Sequence, residues 1–146
     1  QLMVSYESAR LQTAARAVGV APAAFDFALQ YSKEREQFGK PICEHQAIRM
    51  KLSEMKVELE AARQLTYYAA SLKDSGKRCD LEAGMAKVKA AKAVEFITRE
   101  AMQILGGYGY SKEFPVERYW RDGRVISIFE GTSEIQHEVI AKAILK

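Results

Sequence analysis

Three long stretches of helix-forming residues, parted by small clusters of glycine and proline, decide what this 146-residue chain can become. It holds only three prolines and nine glycines. They gather at Gly39 and Pro41, at Gly76, at Gly106, Gly107 and Gly109, at Pro115 and Gly123, and at Gly131. Between these breaks Ala, Leu, Glu, Lys, Gln and Met dominate, and no β-type alternation is visible. In the second stretch Ile48, Leu52, Met55, Leu59, Ala62, Leu65, Ala69 and Leu72 step by fours and threes, one apolar face of a helix. Asp74-Ser75-Gly76 ends it, with Gly76 suited to the left-handed position after a helix.

Asp80 is the expected N-cap of the third stretch, which continues through Leu81, Met85, Val88, Ala91 and Val94 to about Ile104. The first stretch spans roughly Val4 to Gln37, with Pro22 expected to kink it. Pro115 begins a short helix as an N1 residue, and a final helix runs from about Thr132 to Leu145. Helices of about 25–35 residues are roughly 40–50 Å long. Joined by short connections they must run antiparallel, so the expected fold is all-α, an up-and-down four-helix bundle in one domain.

Charge narrows the function. A net charge of +3, evenly spread, with no basic run interleaved with aromatics, argues against nucleic acid. No apolar run is long enough for a membrane span, and no signal segment opens the chain. Cys43 and Cys79 lack any CxxC spacing, so no zinc knuckle or disulfide framework is implied, and a reducing intracellular compartment fits. Beginning at Gln1 without Met, the chain is expected to be a processed or excised piece.

Four stretches could carry chemistry. Glu134 and His137 have the Glu-x-x-His spacing of di-iron bundles, but the second pair is missing, since Ile42 stands three before the other histidine, His45; no metal is expected. Gln103 to Tyr110 interleaves three glycines with two tyrosines at a helix end, where a flat ligand could approach. Glu130 follows Val125, Ile126, Ile128 and Phe129, and precedes Gly131 and a helix start that Thr132 or Ser133 can cap. In apolar surroundings a carboxylate's charged form is disfavoured, which suits proton transfer near neutral pH. A loop carboxylate favoured by the helix dipole explains the same residue equally well. Finally, Arg35 to Pro41 offers a planar guanidinium for a pyrophosphate and a Gln for a ribose or adenine edge, or merely a solvated helix end.

Together, in this order, these stretches resemble the C-terminal helical domain of acyl-CoA dehydrogenases. The resemblance covers essentially the whole chain. It rests on Glu7-Ser8-Ala9-Arg10, Arg35 to Pro41, His45-Gln46, Gln103 to Gly107, Pro115 to Arg118 with Arg121-Asp122, and Phe129 to Gln136. It implies FAD as cofactor, an acyl-CoA thioester as substrate, and Glu130 as the base that removes the α-proton while a hydride passes to the flavin. Gly131 would pass close to the thioester, and Glu7 and Arg10 would meet the CoA moiety. Thr132 and Glu134 would approach the cofactor of their own subunit. Arg35, Gln37 and Phe38, with Gln103, Ile104, Leu105, Gly106 and Gly107, would reach that of a neighbour, and His45 and Gln46 match flavin-side positions. A homo-oligomer, dimer or tetramer, follows, as does an electron-transferring flavoprotein as partner, in a bacterial cytoplasm or the mitochondrial matrix.

Some branches of the family carry the base just before the first-helix arginine; here that residue is Ala9, which leaves Glu130. Phe129 stands where a tyrosine is common, and Pro22 where many relatives have Gln. The family's N-terminal helical and middle β domains are absent from these 146 residues, so the chain alone is expected to be inactive. The competing reading is a helical oligomerisation or binding module of the same fold that performs no chemistry.

Overall fold

A computed structural model describes residues 2–145, with side chains from residue 6 onward. Six helices follow one another: α1 (Leu2–Glu34), α2 (Gln46–Asp74), α3 (Asp80–Leu105), α4 (Gly107–Tyr110), α5 (Val116–Val125) and α6 (Ser133–Ile144). A two-stranded antiparallel hairpin, β1 (Glu36–Gln37) and β2 (Lys40–Pro41), and a 3-10 turn at Ile42–Glu44 connect α1 to α2. The result is the expected four-helix bundle. α1, α2 and α3 form three long members, and the short helices α5 and α6 close the fourth side against α3.

The central seam lies between α1 and α3. Ala14, Ala17, Ala21, Ala24 and Ala28 repeat by threes and fours along α1 and are all buried, facing an equally alanine-rich stripe on α3 that includes Ala83, Ala86, Ala90 and Ala101. Methyl-sized side chains let the two backbones approach closely, and larger groups such as Met55, Leu59, Val94 and Ile97 fill the space toward α2. Hydroxyls in this core bond back along their own helices: Thr66 Oγ1 donates to the Ala62 carbonyl at 2.8 Å, and Thr98 Oγ1 to that of Val94 at 2.7 Å.

Three local expectations change. α1 ends at Glu34 rather than Gln37, because Phe38 and Gly39 both adopt left-handed φ (55° and 76°). Positive φ at both central residues is the type I′ geometry whose twist suits a two-residue hairpin, so the chain reverses instead of fraying. Asp80 is not the N-cap of α3. Cys79 holds that position, and the Asp80 carboxylate instead pairs with Arg10 and Arg78. Pro115 is the residue before α5 rather than its first. α1 itself runs uninterrupted through Pro22, whose ring nitrogen offers no donor to the Val18 carbonyl.

Candidate active site

Polar chemistry collects at opposite ends of α3. Where α3 starts, α1 also starts and α2 ends. There Glu7, 4% exposed, accepts a bond of 2.6 Å from Lys73 Nζ on α2 and another of 3.3 Å from the Cys79 amide. Burial alone would raise the Glu7 carboxyl's pKa, but the Lys73 ammonium and the Cys79 donors together hold it below its ordinary value. The same surroundings act oppositely on the Cys79 thiol, which burial first and the Glu7 carboxylate second push up to about 11. One turn along α1, Arg10 reaches Asp80 at 3.5 Å. The two residues expected to meet CoA are therefore each engaged with another charged side chain of this chain.

Two turns further along α3 lies Lys87, fully buried. Its Nζ donates to the Gly131 carbonyl at 2.6 Å, and Gln136 Nε2 donates to the same oxygen at 3.3 Å. Burial lowers the Lys87 pKa against the pull of the Glu134 and Glu130 carboxylates. Lys87 was absent from the sequence-derived site. Its signal was its register, because it falls on the stripe of Ala83, Ala90, Ala91 and Val94, where a charged residue is out of place.

The Gly131 carbonyl belongs to the turn that presents Glu130. Both Glu130 and Gly131 have left-handed φ, 54° and 87°. For a residue with a Cβ that conformation costs about 1 kcal/mol. At Gly131 even a methyl group would collide with the Gln136 amide, so glycine is required there. Thr132 then caps α6, its hydroxyl accepting from the Ile135 amide at 3.4 Å. Glu134 occupies the first turn, where its own amide and the Thr132 hydroxyl hold its carboxyl below its ordinary value.

The apolar enclosure expected around Glu130 does not form within this chain. Ile126 is buried and Phe129 packs on the core beneath the Arg16 guanidinium, 5.8 Å from the ring centroid, whereas Val125 and Ile128 face outward. Glu130 itself is exposed and makes no hydrogen bond or ion pair among the described residues. The reason is geometric: the turn lies on the rim of the bundle, with helices on one side only.

The other end of α3 opens into a cleft of about 590 Å³. Arg35, Gln37 and Ile42 line it from the hairpin side, Gln103 to Gly107 from the end of α3, and Tyr31, Tyr108, Ser111 and Glu113 complete it. The structure thus brings together seven residues that the sequence had placed around a neighbour's cofactor. Tyr31 was not among them. It stands one turn before Arg35 and packs edge-on to Tyr108, ring centroids 6.5 Å apart. Gly109 is needed where α4 folds back on α3, since a Cβ there would lie 2.6 Å from the Met102 carbonyl oxygen. Gly107 has no such internal reason: a Cβ there would meet no atom of its surroundings within 4 Å.

Phe38 projects from the hairpin tip, 92% exposed, and meets only the edge of His45 at 6.0 Å. His45 Nε2 in turn bonds the Gln37 carbonyl at 3.1 Å, which braces the hairpin. Gln46, the first residue of α2, is exposed. From Lys87 to Leu105 is eighteen residues of straight helix, roughly 27 Å, so the Glu130 turn and the cleft are well separated in one chain.

Compared with known proteins, residues 1–145 match the family described as acyl-CoA dehydrogenase, C-terminal domain. The chain belongs to that family. Its members are FAD-dependent flavoenzymes. Two similar acyl-CoA dehydrogenase relatives are a (2S)-methylsuccinyl-CoA dehydrogenase of Cereibacter sphaeroides and the mitochondrial short-chain specific acyl-CoA dehydrogenase of Bos taurus. The first is 50% identical over 145 residues, covering 99% of this chain and 26% of that protein. The second is 49% identical over 144 residues, with 99% and 35% covered. Among solved structures, butyryl-CoA dehydrogenase from Megasphaera elsdenii superposes with a TM-score of 0.97 at 46% identity, covering 99% of this chain and 38% of that one. The chain thus spans between a quarter and two-fifths of the length of these relatives. No helix among the described residues is long and apolar enough to cross a membrane.

Proposed function

We propose that this chain is the C-terminal helical domain of a longer FAD-dependent acyl-CoA dehydrogenase, in which Glu130 removes the α-proton of an acyl-CoA thioester. The observation that carries this reading is the presentation of Glu130: an unpaired carboxylate on a left-handed turn, immediately ahead of a capped helix. Strained backbone at a non-glycine residue persists where its neighbours enforce it, and such residues cluster at working sites.

FAD, when bound, supplies the acceptor for the hydrogen that leaves the β-carbon with its electron pair. The Glu130 carboxylate takes the α-proton and becomes the neutral acid, so the thioester loses two hydrogens and gains a double bond. Gly131 lines the path of the thioester, Glu7 and Arg10 serve the CoA moiety through the charge cluster they organise, and the apolar walls around Glu130 come from other domains of the same polypeptide. The residues of this chain fit the cofactor. Thr132 and Glu134 face the flavin of their own subunit. The cleft of Arg35, Gln37 and Gln103 to Gly107, with Phe38, His45 and Gln46 nearby, takes a neighbour's. A separation of roughly 27 Å between the Glu130 turn and the cleft supports contact of each chain with two cofactors, its own and a neighbour's, and hence a dimer or tetramer. Electrons then leave to an electron-transferring flavoprotein.

Glu130→Gln in the full-length protein is the test. Turnover of acyl-CoA should fall about 10³-fold, within the range of a lost general base, while substrate still binds. Activity within a few-fold of the parent would falsify the assignment and favour a helical module without chemistry.

A further inference from the structure

We propose that Lys87 is a positioning residue for proton abstraction: its bond to the Gly131 carbonyl holds the left-handed turn that aims Glu130. This rests on the reading of Glu130 as the base.

The turn cannot hold itself. Phe129 donates its amide to the Val125 carbonyl at 3.2 Å and Ser133 donates to that of Ser127 at 3.1 Å, but among the described residues no backbone–backbone hydrogen bond fixes Glu130 or Gly131. Two consecutive residues there have positive φ, and one of them carries a side chain. What keeps them in place is the pair of donors on the Gly131 oxygen, Lys87 from α3 and Gln136 from α6. A carbonyl oxygen has two lone pairs, and both are used. The turn is therefore pinned to two helices at a single atom, one residue beyond the carboxylate.

Lys87 is also an expensive way to bond a carbonyl. A fully buried ammonium is rare unless a carboxylate pairs with it, and Lys87 makes no ion pair among the described residues. Stability alone does not explain it, because an apolar side chain of similar volume in such a place is often neutral or better. Gln136, at 1% exposure, also shows that the site is arranged around this oxygen. Its amide nitrogen is spent on Gly131, while its Oε1 is buried without any partner. A carbonyl held by two buried donors, one of them charged, fixes a direction for the chain that follows.

The experiment compares Lys87→Met, Glu130→Gln and the double variant in the full-length FAD-loaded protein. Met matches the length of Lys and removes the donor. In K87M, kcat should fall about 100-fold with KM within threefold, and the melting temperature should not drop. Amide hydrogen exchange should accelerate at least tenfold at Ser133, whose amide bonds the Ser127 carbonyl across the turn, and stay unchanged in α3. Adding K87M to E130Q should cost nothing further, because the two act through one group. The proposal is overturned by a kcat within twofold of the parent, by unchanged exchange at the turn, by a further loss on the E130Q background, or by a K87M protein that fails to fold. An E130Q protein that retains turnover breaks the base assignment itself, whereas an inactive E130Q beside a normal K87M breaks only this inference.

Discussion

At its first two turns α3 is surrounded by charges that the chain itself neutralises, whereas at its last turn it borders polar groups that the chain leaves unmatched. Glu7 with Lys73 and Arg10 with Asp80 are both formed between elements distant in sequence, and Glu7 and Arg10 are buried. Arg35, Gln37 and Gln103, by contrast, line an open cleft and make no side-chain hydrogen bond among the described residues. Both ends are rich in polar side chains, yet only the first contributes to holding the bundle together. Polar residues whose partners lie inside the chain mark architecture. Those without internal partners mark what the chain offers to something else.

Glu7→Ala should give the largest stability effect, since it leaves the buried Cys79 amide without its acceptor and the half-buried Lys73 ammonium without its partner. A loss of about 2 kcal/mol is expected, or roughly 6 °C in the melting temperature of this domain, read by calorimetry on the full-length protein. The pH dependence follows the same pair. Glu7 and Glu100 both have carboxyl pKa values below the ordinary 4.5 when folded, Glu100 because Lys51 and Arg99 outweigh its burial. Their contribution is present above pH 4.5 and disappears as pH falls through the folded values, because the unfolded chain takes up protons first. The Glu7→Ala protein should therefore lose less stability on acidification than the parent; an identical acid profile contradicts the pairing.

Arg35→Ala combined with Gln37→Ala tests the other end. Stability without cofactor should stay within about 0.5 kcal/mol, as for exposed positions free of special contacts. FAD affinity of the assembled protein, measured by flavin fluorescence titration, should weaken at least tenfold. A large fall in stability with unchanged flavin binding would erase the contrast between the two ends. The smallest effect distinguishes the cysteines. At pH 8 iodoacetamide should label Cys43, which is half-buried, well before Cys79, which is buried with its thiol pushed up to about 11. Mass spectrometry of the alkylated peptides reads the order directly.

The bundle was legible in the chain because an apolar stripe repeating by threes and fours survives any detail of packing. Met55, Leu59, Ala62 and Ala69 are buried as the periodicity of α2 demands. The hairpin was not legible, since Phe38 fills a left-handed position where asparagine or glycine would have announced the turn. Glu130 could be singled out from its neighbours, but its surroundings could not. A run such as Val125, Ile126, Ile128 and Phe129 shows greasy residues without showing which of them turn inward, and here only part of it does. Lys87 is marked in the chain by its register alone, because its partner is a backbone oxygen, and main-chain atoms leave no mark in a list of side chains.

The alanine seam joining α1 and α3 has a mechanical corollary. With mostly methyl-sized side chains along the seam, the two helices have little room to slide or roll, and they move together as a single beam. Arg10 and Arg35 sit near the two extremities of α1, about 38 Å apart at 1.5 Å per residue. Whatever docks at one extremity and whatever docks at the other are consequently kept at a set spacing, as by the jaws of a fixed gauge.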